Sequence, residues 1–238
     1  MKTAISSWYK VSTIFLIGLS AAAALAANVQ ASLSFNSPDL QAPGNREAGA
    51  SRSNDSCLIA SNQSPTELVA LMPNTNIGLT TEALPTFYVY VPPNQANQLE
   101  FLLYEEATNR LVYQKSFAAQ STSGEVIAID LSEADSQPSL AVDHNYYWYF
   151  SVVCSPERPD ENLVVESNIR RIAPSADLTQ QLANAQLQER PGIYAEAGVW
   201  YEALAALEAI DPQQAVLQRR SLLQSVGLAD LANQVVWR

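Results

Sequence analysis

A switch in hydrophobic period near Ala173-Pro174 constrains this chain most. Before it, from Glu67 to about Ile172, apolar residues recur at every second position, the period of a half-buried strand. After it the spacing lengthens to the helical ~3.6. Such a succession predicts an α+β chain whose strands and helices are segregated along the sequence.

The strand region divides at turn signals. Glu67–Met72 leads. Phe87, Val89 and Val91 face one way, and Tyr88 and Tyr90 the other. Leu99, Phe101 and Leu103 alternate with Glu100, Leu102 and Tyr104. Leu111, Tyr113 and Phe117 follow, then Ile127, Ile129 and Leu131, then Tyr146 through Cys154, and last Leu163 to Ile172. Pro73-Asn74, Pro92-Pro93-Asn94, Thr108-Asn109, Ser123-Gly124 and Pro159-Asp160 separate them. About seven short strands in this length predict a β-sandwich of immunoglobulin or fibronectin type III kind over residues 57–172. Leu140 followed by Tyr146 resembles the tyrosine corner of such sandwiches, with the hydroxyl bonded back to the preceding loop.

Residues 173–238 read as a small all-α domain. Ser175 suits a helix N-cap, Pro191 a first turn, and Gly227 an end. Gly198, Tyr201, Ala203 and Leu204 ahead of Asp211-Pro212 resemble the second helix of a tetratricopeptide repeat, and a plain helical hairpin is the alternative. Trp200-Tyr201 and Val236-Trp237 are expected to seal the junction with the sandwich.

Two segments precede the sandwich. Lys2 and Lys10 stand before the apolar run Val11 to Leu25, which is shorter than the ~20 residues that span a bilayer. Small-x-small sites then end at Ala26 and Ala31. This layout predicts a signal peptide over residues 1–31, cleaved after Ala26 or Ala31, and a periplasmic or secreted product with no integral membrane segment. Residues 32–56, rich in Ser, Asn, Pro, Ala and Gly, read as a flexible arm. In an exported chain Cys57 and Cys154 predict a disulfide, with two buried thiols as the alternative.

Composition narrows the chemistry. Thirteen basic and 24 acidic residues give a net charge of −11, and the leader carries away only lysines. Such a surface repels nucleic acid. The single histidine, His144, excludes His-rich zinc sites, and Asp143 beside it is badly placed to orient its ring. No phosphate loop or nucleophile motif is present. No catalytic, cofactor or metal residue is therefore assigned. Two carboxylate groups remain as candidates for a hydrolase pair or weak calcium binding: Glu105-Glu106, and Glu157 with Asp160 and Glu161. Tyr88, Tyr90, Tyr104, Tyr113, Tyr147 and Tyr149 could present an aromatic binding face.

A family resemblance joins these pieces. Ala-Pro-Gly-Asn-Arg-Glu (42–47), Leu-Met-Pro-Asn-x-Asn-x-Gly-Leu-Thr (71–80), Leu-Pro-Thr-Phe-Tyr-Val-Tyr-Val-Pro (84–92), Tyr-Trp-Tyr-Phe-Ser-Val-Val-Cys (147–154) and Gly-x-Trp-Tyr-Glu-Ala-Leu (198–204) stand in order. The chain thereby resembles the family catalogued as domain of unknown function 928. The resemblance implies an exported envelope protein of mainly cyanobacterial distribution, and it brings no activity or site residue. Where that family often has Cys-Asp, this chain has Cys154-Ser155. The expectation is a non-enzymatic interaction or adaptor protein of the periplasm with a protein partner. A carboxylate-dependent hydrolase of envelope glycans, or a passive glycan- or calcium-binding component, is the alternative.

Overall fold

Alternating apolar side chains along extended segments must bury one face, and here they do so as two sheets (computed structural model). The structure describes residues 32–48, 57–59, 65–96, 98–119, 124–136 and 138–232. The first sheet contains β1 (Val69–Ala70), β3 (Thr86–Val91) and β6 (Glu125–Asp130), in the order β1-β3-β6. The second contains β2 (Ile77–Thr80), β4 (Gln98–Glu105), β5 (Arg110–Ala118), β7 (Asn145–Val153) and β8 (Leu163–Arg171), in the order β2-β8-β7-β4-β5. The core between them takes one residue of each pair. Phe87 meets Phe101 and Trp148 at ring separations of 4.9 and 5.5 Å. Leu99, Leu103, Phe150, Val152 and Val165 complete this layer.

Strand β2 escaped the alternation because all four of its residues are buried. It pairs in parallel with β8, Ile77 opposite Asn168 and Thr80 opposite Arg171, while every other strand pair is antiparallel. Gly78 is required there, since a Cβ would come within 2.7 Å of the Tyr201 ring. The tyrosine corner forms: the Tyr146 hydroxyl accepts from the Ala141 N–H at 2.9 Å.

The C-terminal helices correct the expected fold class. They are α1 (Ala176–Asn184), α2 (Arg190–Glu196), α3 (Trp200–Ala205) and α4 (Pro212–Ser225). They do not form a tetratricopeptide-like all-α domain beside a sandwich. The protein is a mixed α/β fold, and α3 belongs to the same core as the sheets. Its residues Trp200 to Leu204 are buried all round. Trp200 Nε1 donates to the Leu71 carbonyl at 2.7 Å. The Tyr201 ring lies 5.2 Å from Phe87, and its hydroxyl accepts from Trp148 Nε1 at 3.1 Å. A repeat helix would keep a polar face for solvent. Helix α3 keeps none: its one charged side chain, Glu202, is itself buried on donors at the end of β2, so the helix lies in the core.

The caps follow the sequence. The Ser175 hydroxyl accepts from Leu178 N–H at 3.1 Å, Pro191 sits in the first turn of α2, and Asp211 caps α4. Residues 32–48 lie along this body without forming a helix. Phe35 packs edge-on against Trp200 at 4.8 Å, Asn36 N–H donates to Ala195 O, and Glu166 N–H donates to Asn45 O. Arg46 Nη1 donates to the carbonyls of Met72 and Val226, linking the segment to a strand end and a helix end. The described residues from Ser32 onward belong to one compact unit. Among the described residues no helix is long and apolar enough to cross a membrane. The leader read in residues 1–31 and Val236-Trp237 lie outside the described residues.

Candidate functional site

The outward residues of β4 and β7 build the most distinctive surface. Their inward partners fill the core, so Leu102 and Tyr104 on β4 and Tyr147 and Tyr149 on β7 must point out. Tyr104 stands directly opposite Tyr147, and Leu102 opposite Tyr149. The Tyr104 and Tyr147 rings stack at 5.2 Å and 10°. Tyr149 meets both edge-on, at 6.3 and 5.7 Å. All three rings are half-buried. Leu111 and Val164 extend the patch on the flanking strands at 43% and 41% exposure.

Polar groups frame the rings. The Tyr147 hydroxyl donates to Asn109 Oδ1, and Asn109 holds a left-handed backbone (φ 53°) in the β4–β5 turn. Gln114 Nε2 donates to Glu100 at 2.9 Å across the same face. Glu166 lies opposite Tyr149. Burial among the rings, and then the Glu166 carboxylate, push the Tyr149 hydroxyl above its usual range. Tyr147 is pushed up mainly by burial. Both stay neutral donors at any physiological pH. A rigid cluster of large rings with hydroxyl handles can bury much area at small entropic cost.

The neighbouring strand edge is protected. Opposite Leu103/Tyr104 of β4 the register shifts, with Val112 the extra residue on β5. Lys115 lies opposite Phe101 on the core-facing side of this edge. Bulges and inward charges discourage strand addition, which leaves the face as the approachable surface.

The other sequence candidates are dispersed. Tyr88 and Tyr90 share a face, but it is covered: both are buried, and the Tyr90 hydroxyl donates to Pro65 O at 2.9 Å. Tyr113 packs at the sandwich rim, 6.2 Å from Phe101. Glu105 accepts from Thr108 at 2.7 Å and pairs with His144 Nδ1 at 2.9 Å. These two hydrogen bonds hold the Glu105 carboxyl below its usual range. The partner of His144 is therefore Glu105 and not Asp143, which sits in a turn at φ 63°. Glu106 accepts from Asn145. Glu157, Asp160 and Glu161 follow the far end of β7, and Glu161 pairs with Arg158. Strand β7 thus holds the two carboxylate groups roughly 25 Å apart at ~3.3 Å per residue, too far to share a substrate bond. Among the described residues no three His, Cys, Asp or Glu side chains gather to hold a metal. Cys57 and Cys154 are joined by a disulfide, Cα–Cα 5.3 Å.

Two charged groups outside the sequence candidates lie buried on the helices. Glu202 on α3 is 6% exposed, and its Oε1 accepts from Thr80 Oγ1, Thr81 N, Thr81 Oγ1 and Glu82 N at 2.7–3.1 Å. Arg219 is buried in α4. Each carries a legible signal: Glu202 interrupts an apolar run, and Arg219 falls on the stripe of Ala215, Leu222 and Val226.

A family model described as Domain of Unknown Function (DUF928) matches residues 47–236. No curated protein matches the chain. With most of its length matched, the chain belongs to the DUF928 family.

Proposed function

We propose that this DUF928 member is an exported, non-enzymatic interaction protein of the periplasm or cell envelope. In this reading the face of Tyr104, Tyr147 and Tyr149 receives a protein partner. The stacked tyrosine cluster between exposed Leu111 and Val164 carries the reading. Tyrosine-rich patches with a polar frame are enriched at the centres of protein interfaces. The disulfide suits an oxidising compartment, and the leader-like residues 1–31 suit export. The separation of the two carboxylate groups favours binding over hydrolysis.

A photo-crosslinking residue at Tyr149 tests this in native envelope preparations, with a second one at Val142, in the exposed turn before β7, as the control. One discrete protein adduct from Tyr149, absent from Val142 and lost when Tyr104 and Tyr147 become Ser, is the expected result. Adducts of equal yield from both positions would refute the assignment of the face. A labelled polysaccharide in place of a protein would move the function to glycan binding.

A further inference from the structure

The tyrosine face holds two carboxylates, and among the described residues neither pairs with a cation. Glu100 points out from β4, and Glu166 points out from β8 directly opposite Tyr149. Both are half-buried. Glu100 accepts from the neutral Gln114 amide at 2.9 Å, and the Glu166 carboxylate hydrogen-bonds the Tyr149 hydroxyl. The basic side chains of this sheet are engaged elsewhere. Arg110 pairs with Glu105 at 3.5 Å, and Arg170 with Asp143 at 3.9 Å. Arg171 donates to the Thr81 and Leu140 carbonyls, and Lys115 lies 5.7 Å over the Phe117 ring. A carboxylate has about four lone-pair sites, so Glu100 and Glu166 keep accepting capacity.

Their positions make both charges part of the face. Directly opposed residues on neighbouring strands have Cβ atoms about 4.5–5.5 Å apart, so a surface that covers Tyr149 covers Glu166 as well. Glu100 is the diagonal neighbour of Tyr149 across β4 and β7, about 7–8 Å away. Covering the rings therefore strips water from two anions, which is costly unless the partner brings opposite charge.

Taking the face as the protein interface described above, and resting on that reading, we propose that its partner docks a basic segment there, with an arginine guanidinium against the tyrosine rings and the Glu166 carboxylate and a second cation at Glu100. A neutral apolar segment would leave both carboxylates desolvated and unpaired. An acidic segment would meet them and the repulsion of a chain of net charge −11. A guanidinium answers rings and carboxylate together, because it is planar, weakly hydrated, stacks on aromatic faces and presents a fork of N–H donors. Glu100 and Glu166 stand two strand spacings and two residues apart, roughly 12 Å, close to the span from i to i+4 in an extended segment. The residue between those two cations then lies over the rings.

Fluorescence anisotropy with a labelled Ser-Arg-Ser-Leu-Ser-Arg-Ser peptide tests this, with Lys, Gln or Glu replacing both arginines in the comparison peptides. The arginine peptide is expected to bind, the lysine peptide several-fold more weakly, and the glutamine and glutamate peptides at least about tenfold more weakly. Glu166→Gln and Glu100→Gln should each weaken the arginine peptide several-fold and flatten its salt dependence. Glu157→Gln, at an exposed acid beyond the end of β7, should leave it unchanged. Absence of binding of the arginine peptide at submillimolar concentration overturns the proposal. So does a glutamine peptide that binds equally well, or a Glu157→Gln variant that weakens binding as much as Glu166→Gln, which would mark general attraction to an acidic chain. Crosslinking separates this failure from failure of the underlying reading. A discrete protein adduct from Tyr149, unchanged in yield when Glu100 and Glu166 both become Gln, overturns the basic partner and leaves the face an interface. Adducts of equal yield from Tyr149 and Val142 overturn both.

Discussion

Removing the Glu202 carboxylate should destabilise this protein more than any surface change of equal size. Its Oε1 collects two backbone N–H groups and two threonine hydroxyls where β2 turns toward β3. In Glu202→Ala the hydroxyls can rotate to other acceptors, but the Thr81 and Glu82 N–H groups cannot. Each stranded donor costs about 1–3 kcal/mol. Release of a buried charge returns part of that. The net loss is therefore about 2–4 kcal/mol. Glu202→Gln keeps an accepting oxygen and should cost only about 1 kcal/mol. Urea unfolding is the assay, with the midpoint falling and the m-value unchanged. The pH dependence follows from the same contacts. Burial pushes the Glu202 carboxyl above its ordinary value, outweighing the hydrogen bonds that pull it down. The folded state then binds the proton more tightly than the unfolded state. The contribution of this group to stability thus falls as pH rises from the ordinary carboxylate value, about 4.3, through the raised folded value. Glu202→Gln should remove that slope. A Glu202→Ala variant within about 1 kcal/mol of the parent would refute the reasoning, as would an unaltered slope in Glu202→Gln.

Two further outcomes are expected. Replacing Cys57 and Cys154 by Ala opens a link 97 residues apart and should lower stability by roughly 4–5 kcal/mol on the chain-entropy model, read by urea unfolding against the parent with and without reductant. Tyr146→Phe removes the acceptor of the Ala141 N–H and should cost about 1 kcal/mol by the same measurement, with the tyrosine-face crosslink unchanged.

Much of the sheet was legible because its chemistry is local. Tyr146, Trp148, Phe150 and Val152 go in and Tyr147 and Tyr149 go out whatever lies above them, since successive strand residues point to opposite faces. The tyrosine corner and the cap at Ser175 were equally legible, each being a contact between near neighbours. Strand β2 was not, because its ladder is made with Asn168–Arg171, far along the chain, and burial on both faces erases the alternation. The aromatic site was half legible. Six tyrosines were candidates, and period two assigns their faces, but Tyr88 and Tyr90 are covered by distant segments while Tyr104, Tyr147 and Tyr149 are not.

The helices make the same division sharper. Their caps and turns follow from the order of residues between Ser175 and Gly227, because a cap is decided within a few positions. Where α3 goes is decided by what it can bury. Trp200 needs an acceptor and finds Leu71 O; Tyr201 needs a donor and finds Trp148; Glu202 needs several donors and finds the end of β2. Local order along the chain is enough for most of the strands, a run of helices and a likeness to one family. That the helices share the core of the sheets and that one aromatic face stays open depends on which distant surfaces meet, because burial is set by those contacts.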